Sequence, residues 1–99
     1  MQLHQTSADT YNISCPTEFT FAQQQLFIQQ LRTALGFKPK RLVLSLTNTQ
    51  YIDSAAIGLL LLATKEAQRQ ECQCQIAGAS GYVAETLSNL KIATVKATH

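Results

Sequence analysis

The chain has 99 residues, of which 45% are hydrophobic and 14% are charged, and its net charge is +2. This length suffices for one hydrophobic core, so we expect a single domain over residues 1–99. The hydrophobic content excludes a disordered chain, and the small, dispersed positive charge excludes the concentrated basic surface that binds nucleic acids. Even the tightest basic group, residues 38–41, falls at a turn and is interpreted as a solvated loop.

The start of the chain and its cysteines indicate where the protein resides. The polar first residues lack the apolar run of a signal peptide. The longest apolar stretch, residues 55–63, is far shorter than the roughly 20 residues of a membrane-spanning helix. Three cysteines, an odd number, fit a reducing compartment better than a disulfide framework. We therefore expect a cytoplasmic protein that does not insert into membranes.

Candidate metal-binding and catalytic side chains are few. Cys72 and Cys74 lie two positions apart in a strand-like run, which places both on one face of a sheet and favours packing over metal binding. Cys15 has no identifiable base beside it, His4 and His99 lie near the ends of the chain, and the sequence has no glycine-rich phosphate loop. The sequence therefore argues against an enzyme, and it predicts neither a metal nor a cofactor.

The first third of the chain predicts a hairpin followed by a helix. Residues 2–5 and 10–15 have β character and flank a small polar turn. Residues 20–35 carry apolar side chains at helical spacing, and Gly36 stands at the end of this helix. The apolar stripe of the helix consists of Leu26, Phe27, Leu31, Ala34 and Leu35.

The rest of the chain predicts alternating strands and helices. The segments are a buried strand over 41–46, a helix over 55–70, a strand over 71–78, a helix over 81–91 and a short strand over 92–99. Asp53 and Ser54 are good N-cap residues directly ahead of the first of these helices, whose N-terminal half is apolar almost all round. This order predicts an α/β fold in which crossover helices pack on a mixed sheet.

The segment over residues 51–62, Tyr-Ile-Asp-Ser-Ala-Ala-Ile-Gly-Leu-Leu-Leu-Leu, resembles the signature of STAS domains. In that family a central strand ends in Asp-Ser-Ser-Gly-Leu-Gly, or a close variant, and leads into an apolar helix. The resemblance covers roughly residues 42–92, and the N-terminal third fits by element order only. It implies the STAS fold, a mixed sheet of four to five strands with three to four helices packed on it.

The resemblance also implies a function. In anti-sigma factor antagonists, a STAS domain acts without catalysis by binding a partner that is both an anti-sigma factor and a serine kinase. Phosphorylation of the signature serine by that partner weakens binding. A phosphate adds a charge of about −1.5 to −2 at a helix N-terminus inside the contact surface, so this switch is physically coherent.

This sequence departs from the family pattern at the usual phosphoacceptor. That position is Ala55, which has no hydroxyl, and Ala56 replaces the family's glycine. Two interpretations follow: the protein is permanently in the partner-binding form, or Ser54 is the phosphoacceptor. A second branch of the family, subunits of bacterial lipid-transport ABC complexes, has a Ser or Thr directly after the Asp, and Ser54 matches it. The alternative function is therefore that of a structural subunit in such a lipid-transport complex.

The residues that we expect to form the functional site lie in the signature segment. The signature loop and helix N-terminus comprise Asp53, Ser54, Ala55, Ala56 and Gly58, and the candidates for the partner interface are Ile57, Leu59 and Leu62. If the sheet-facing residues are Ile57, Leu60, Leu61 and Thr64, then Leu59 and Leu62 fall to one side of the helix. The alternative to a role in binding is a purely structural role, in which Asp53 and Ser54 cap the helix and the leucines pack in the core.

Gly58 and the apolar helix face leave two further questions open. A glycine within a helix costs about 1 kcal/mol relative to alanine, so a close backbone approach by a neighbour or a partner would explain Gly58. An exposed apolar face pairs with a second copy as readily as with another protein, so weak homodimerisation stays open.

Overall fold

The structure of this chain, a computed structural model, describes residues 1–96. The strands are β1 (Gln2–Ser7), β2 (Thr10–Ser14), β3 (Glu18–Phe19), β4 (Arg41–Ser45), β5 (Tyr51–Ile52) and β6 (Gln73–Ala77). The helices are α1 (Gln24–Gly36), α2 (Ser54–Arg69) and α3 (Gly81–Asn89), and a 3-10 turn over Phe21–Gln23 precedes α1. The predicted α/β fold is confirmed.

The main sheet is mixed, with the strand order β1-β2-β4-β6. β1 runs antiparallel to β2, whereas β2, β4 and β6 are mutually parallel. The short strands β3 and β5 form a separate parallel pair, in which Glu18 lies opposite Tyr51 and Phe19 opposite Ile52. The sequence did not predict this pair, which brings the segment before α1 next to the residues before α2.

Alternation along the parallel strands separates the two faces of the main sheet. In β4, Leu42 and Leu44 are buried, while Val43 and Ser45 between them are half-buried. Because successive side chains of a strand point to opposite faces, the leucines lie on the core side. There α1 packs against β2 and α2, and α2 packs against β6. The other face carries polar residues, including Thr10, Asn12, Ser14 and Gln75.

The predicted N-terminal hairpin is confirmed, but the first helix begins later than predicted. Thr20 and Gln23 form a capping box around the 3-10 turn, so α1 starts at Gln24. Phe27, Leu31, Ala34 and Leu35 are buried as predicted, whereas Leu26 is exposed. The placement of Leu26 on the core stripe was wrong, because the adjacent Phe27 occupies that face of the helix.

Each helix is followed by a non-glycine residue in the left-handed conformation. These residues are Lys38 (φ 52°), Glu71 (φ 58°) and Lys91 (φ 59°). After α2, the Glu71 amide donates to the Gln68 carbonyl and the Cys72 amide to the Ala67 carbonyl, which is the Schellman arrangement. Gly36 is the last residue of α1, as predicted, although the left-handed position falls two residues later.

Beyond α3, the described chain forms one isolated bridge, in which Val95 pairs in parallel with Ala77 at the end of β6. The predicted terminal strand over 92–99 is thus represented by a single pair, and residues 97–99 lie outside the described part. Within residues 1–96, no helix combines the length and the hydropathy needed to cross a bilayer.

Candidate functional site

Asp53 holds the start of α2 through both oxygens of its carboxylate. Its backbone is extended (φ −106°, ψ 179°), as an N-cap residue requires, and Oδ1 accepts a hydrogen bond of 2.8 Å from the Ala56 amide. Oδ2 accepts a second bond, of 3.0 Å, from the amide of Phe21. These bonds, first that from Ala56 and then that from Phe21, lower the pKa of Asp53 below its usual value.

The three residues after Asp53 differ in what they present to solvent. Ser54 is the first residue of α2 and is exposed, so the N-cap is Asp53 rather than Ser54. Ala55 is half-buried and Ala56 is fully buried. Among the described residues, the Ser54 hydroxyl has no hydrogen-bond partner, so it is the one free hydroxyl at this helix start.

Helical spacing divides α2 into a buried and an exposed face. The buried residues are Ala56, Leu59, Leu60, Ala63 and Ala67, which recur at three- and four-residue intervals. Leu59 is only 6% exposed, whereas Leu61 is 48% and Leu62 37% exposed. The prediction that Leu59 lies at an exposed surface was therefore wrong, and so was the sheet-facing placement of Leu61. Ile57 is half-buried at the boundary between the faces.

Gly58 lies on the exposed face of α2, one turn after Ser54. A Cβ atom built at Gly58 would meet no other atom within 4 Å. Close packing by a neighbour in the described chain therefore does not explain this glycine.

Exposed aromatic rings surround the signature segment. Tyr51 of β5 stacks on Tyr82 of α3, with ring centroids 5.9 Å apart and an interplanar angle of 7°. Phe21, whose amide binds Asp53, has a side chain that is 67% exposed. The sequence did not predict these rings as part of the site, because Phe21, Tyr51 and Tyr82 belong to three segments that are far apart in the chain. The β3–β5 pair and the packing of α3 against β5 bring these segments together.

The cysteines lie in or beside the core. Burial raises the pKa of Cys15 to about 12 and that of Cys74 to about 11, and it also raises the pKa of Cys72. Thiols with raised pKa values are poor nucleophiles, since the thiolate is the reactive form. Within residues 1–96, no three His, Cys, Asp or Glu side chains are grouped so that they could hold a metal ion.

The family model of the STAS domain matches residues 4–98, which is nearly the whole chain. The chain belongs to the STAS domain family. The predicted resemblance is thus confirmed.

Solved structures support the same fold for the STAS chain. It is similar to Bacillus SpoIIAA in the phosphorylated form, with a TM-score of 0.80 and 16% identity over 99% of this chain and 91% of that chain. A putative anti-sigma factor antagonist from Thermotoga maritima gives a TM-score of 0.79 and 18% identity, covering 98% of this chain and 86% of that one. The murine anion transporter Slc26a9 gives 0.75 and 16%, with 92% and 16% covered. No curated protein sequence gives a match.

Proposed function

We propose that this STAS domain is a non-enzymatic, cytoplasmic regulatory module of the anti-sigma factor antagonist type. It binds a protein of the anti-sigma factor and serine kinase class through the exposed face of α2. The observation that carries the proposal is the row of exposed, uncharged residues Ser54, Gly58 and Leu62, which we call the docking face. An uncharged row with a backbone-only position at its centre and an exposed leucine at one end suits contact with another protein.

Gly58 is the strongest part of the argument. Glycine within a helix lowers stability by about 0.5–1 kcal/mol relative to alanine, and nothing in the described chain requires it here. A partner whose main chain or side chain lies directly on α2 would require the absence of a Cβ. The docking face therefore centres on Gly58, with Leu62 as its apolar contact and Ser54 at its edge.

The similar structures support a phosphorylation switch in a domain of this fold. SpoIIAA is described as an anti-sigma factor antagonist, and its structure has been solved in the unphosphorylated and phosphorylated forms. In the present chain, Ala55 cannot accept a phosphate, whereas the Ser54 hydroxyl is exposed at the first position of α2. A phosphate there would add about −1.5 to −2 charges beside the Asp53 carboxylate and would place a hydrated anion on the docking face.

The other interpretation of Ala55 leaves Ser54 unmodified, so that the protein stays in its partner-binding form. Incubation of the domain with its captured kinase partner and ATP separates the two interpretations. Mass spectrometry that locates a phosphate on Ser54 supports the switch, and an unmodified chain that remains bound supports permanent binding.

A structural role in a bacterial lipid-transport complex is the second candidate function. The observation that favours it is Ser54, an exposed hydroxyl residue directly after the signature Asp53. In this case the same docking face would contact a transporter subunit, and no kinase would be involved.

The proposal is tested by affinity capture from the native cell extract, followed by mass spectrometry. Gly58→Gln and Leu62→Asp alter the docking face, and Ser54→Asp mimics the phosphorylated charge. Gly36→Gln is a matched control, because Gly36 is also an exposed helix glycine whose Cβ would meet nothing within 4 Å.

We expect the wild type and Gly36→Gln to retain a kinase-like regulatory protein that Gly58→Gln and Leu62→Asp lose. Loss with Ser54→Asp as well would support the switch at this serine. Recovery of transporter subunits would favour the second function. A kinase-like protein bound equally by all variants would contradict the docking face.

A further inference from the structure

A second apolar surface lies beside the docking face, between α2 and the chain that follows α3. It is a groove of about 530 Å³. We call it the α2–α3 groove, and its lining consists of Ile57, Leu61, Thr64, Cys74, Ile76, Leu90, Lys91, Ile92 and Ala93. Apolar side chains from a helix, a strand and a connecting segment thus converge on one slot.

The groove is open because the helical layer does not cover the outer part of β6. α2 packs against β6, whereas α3 packs against β5. Cys74 of β6 consequently remains only partly buried although it packs against the core. Leu61 on one bank is 48% exposed, and Leu90 on the other bank is 53% exposed. Apolar side chains of this size on both banks gain stability when another apolar surface removes them from water.

The charged residues at the sides of the groove are basic. Among the described residues, Lys91 is the only charged residue that lines the groove. Lys65 follows the lining residue Thr64 on α2, and both lysines are exposed. Neither lysine forms an ion pair within the described residues, where Arg69 and Glu66 form the ion pair that is present. An occupant with acidic groups beside an apolar stripe would therefore match the groove.

We propose that the α2–α3 groove binds an amphipathic helix of a partner protein, with its apolar stripe between Leu61 and Leu90 and acidic side chains beside Lys65 and Lys91. A helix presents apolar residues at i, i+3, i+4 and i+7, which suits a slot with apolar side chains on both banks and its floor. The groove adjoins the docking face on α2 but shares none of its three residues, and it does not depend on the function proposed for that face.

A second copy of the chain fits the groove less well. The exposed face of its α2 would supply Leu61 and Leu62, but the same face carries Lys65 and Arg69. Lys65, which forms no ion pair within the described residues, would approach Lys91 of the first copy, whereas Arg69 is already paired with Glu66. Like charges in close contact are destabilising. An acidic helix avoids this repulsion.

The test uses the full chain and two peptides of about 20 residues, long enough to form helices alone. One peptide carries leucines at i, i+3, i+4 and i+7 with flanking glutamates and alanines elsewhere, and the other has lysines in place of the glutamates. Binding is measured by fluorescence anisotropy, and its position by amide chemical-shift changes in the ¹⁵N-labelled protein.

We expect saturable binding of the glutamate peptide, with the largest shifts at Leu61, Ile76 and Leu90. Leu90→Gln should weaken this binding about tenfold or more, because an apolar contact is lost. Lys91→Glu should weaken binding of the glutamate peptide and strengthen binding of the lysine peptide. Leu26→Gln, which alters an exposed leucine of α1, should leave the affinity unchanged.

Three results would overturn the proposal. The first is equal affinity for the two peptides, which would show that Lys65 and Lys91 do not select an acidic helix. The second is a set of shifts confined to Ser54, Gly58 and Leu62, which would place the peptide on the docking face. The third is self-association in sedimentation velocity experiments that Leu90→Gln abolishes, which would assign the groove to a second copy.

Discussion

The amide of Phe21 donates a hydrogen bond of 3.0 Å to the carboxylate of Asp53, 32 residues further along the chain. The same carboxylate accepts the bond from Ala56 that caps α2. One side chain thus joins the turn before α1 to the start of the signature helix. The neighbouring β3–β5 pair makes a parallel connection between the same two segments. The position of Ser54 therefore depends on the N-terminal third of the chain as well as on its own helix.

Substitution of Asp53 separates these two contacts. Asn is a good N-cap and keeps an oxygen for the Ala56 amide, but its amide nitrogen cannot accept from the Phe21 amide. Ser keeps only the cap. We expect Asp53→Asn and Asp53→Ser each to lower the Tm by a few degrees at pH 7, and the amide of Phe21 to exchange with solvent faster in both variants. Thermal melts and hydrogen exchange measured by NMR provide the readouts.

The contribution of Asp53 should also depend on pH. Because its pKa is lowered in the folded state, the ionised carboxylate stabilises the fold above the pKa of the unfolded chain, and this stability is lost as the pH falls through the folded value. The Tm difference between wild type and Asp53→Asn should therefore be constant near neutral pH and shrink below about pH 4. A difference that persists undiminished at about pH 2 would contradict this role of the charge.

The left-handed residue after α2 offers a third prediction. Glu71 adopts φ 58° in a Schellman arrangement, where glycine has no steric cost. We expect Glu71→Gly to raise the free energy of unfolding by about 0.5–1 kcal/mol. Gln68→Gly, within the last turns of the same helix, should lower it by about 1 kcal/mol. Urea denaturation measures both, and a loss of stability in Glu71→Gly would show that its side chain contributes more than its backbone conformation costs.

The parts of the fold with strong local signals were predictable from the sequence. Asp53 precedes a long apolar helix and is its N-cap, and the compact apolar run over 41–46, predicted as a buried strand, contains β4 with its buried leucines. The two-residue strands β3 and β5 carry no periodicity, so they could not be predicted. Their pairing depends on contacts between residues about 33 positions apart in the chain, such as Glu18 with Tyr51.

The faces of α2 were harder to predict because residues 59–62 are all leucine. Four identical apolar residues in a row do not show which of them face the core, and our placement of Leu59 and Leu61 was therefore wrong. The phase is set instead by Ala56, Ala63 and Ala67, whose small side chains allow close packing and which recur on the same face as Leu59. The stacked rings of Tyr51 and Tyr82 were also unpredictable, since only the tertiary fold brings β5 and α3 together.

Two glycines should respond in opposite ways to alanine. Gly58 has a helical backbone and open space around it, so Gly58→Ala should raise the free energy of unfolding by about 0.5–1 kcal/mol. Gly78 adopts φ 81°, and a Cβ there would collide with the Thr47 side chain and lie 3.2 Å from the Thr47 Cα. Gly78→Ala should therefore destabilise the fold by at least about 1 kcal/mol. Chemical denaturation of both variants checks the signs, and a destabilising Gly58→Ala would mean that the helix needs its glycine for folding rather than for a partner.

The thiols of Cys15, which is buried, and of Cys74, which is partly buried, should react slowly and in a pH-dependent way. With pKa values of about 12 for Cys15 and about 11 for Cys74, few of these side chains are thiolates near neutral pH. At about pH 8, we expect both to react with iodoacetamide at least about 100-fold more slowly than in the urea-unfolded chain, where the thiol pKa is about 8.5. Because the pKa values are raised on folding, the stabilising effect of the neutral thiols is complete below the unfolded pKa and is lost as the pH rises towards the folded values. Peptide mass spectrometry of the alkylated chain resolves each cysteine, and rates equal to those of the unfolded chain would contradict the raised pKa values of these two thiols.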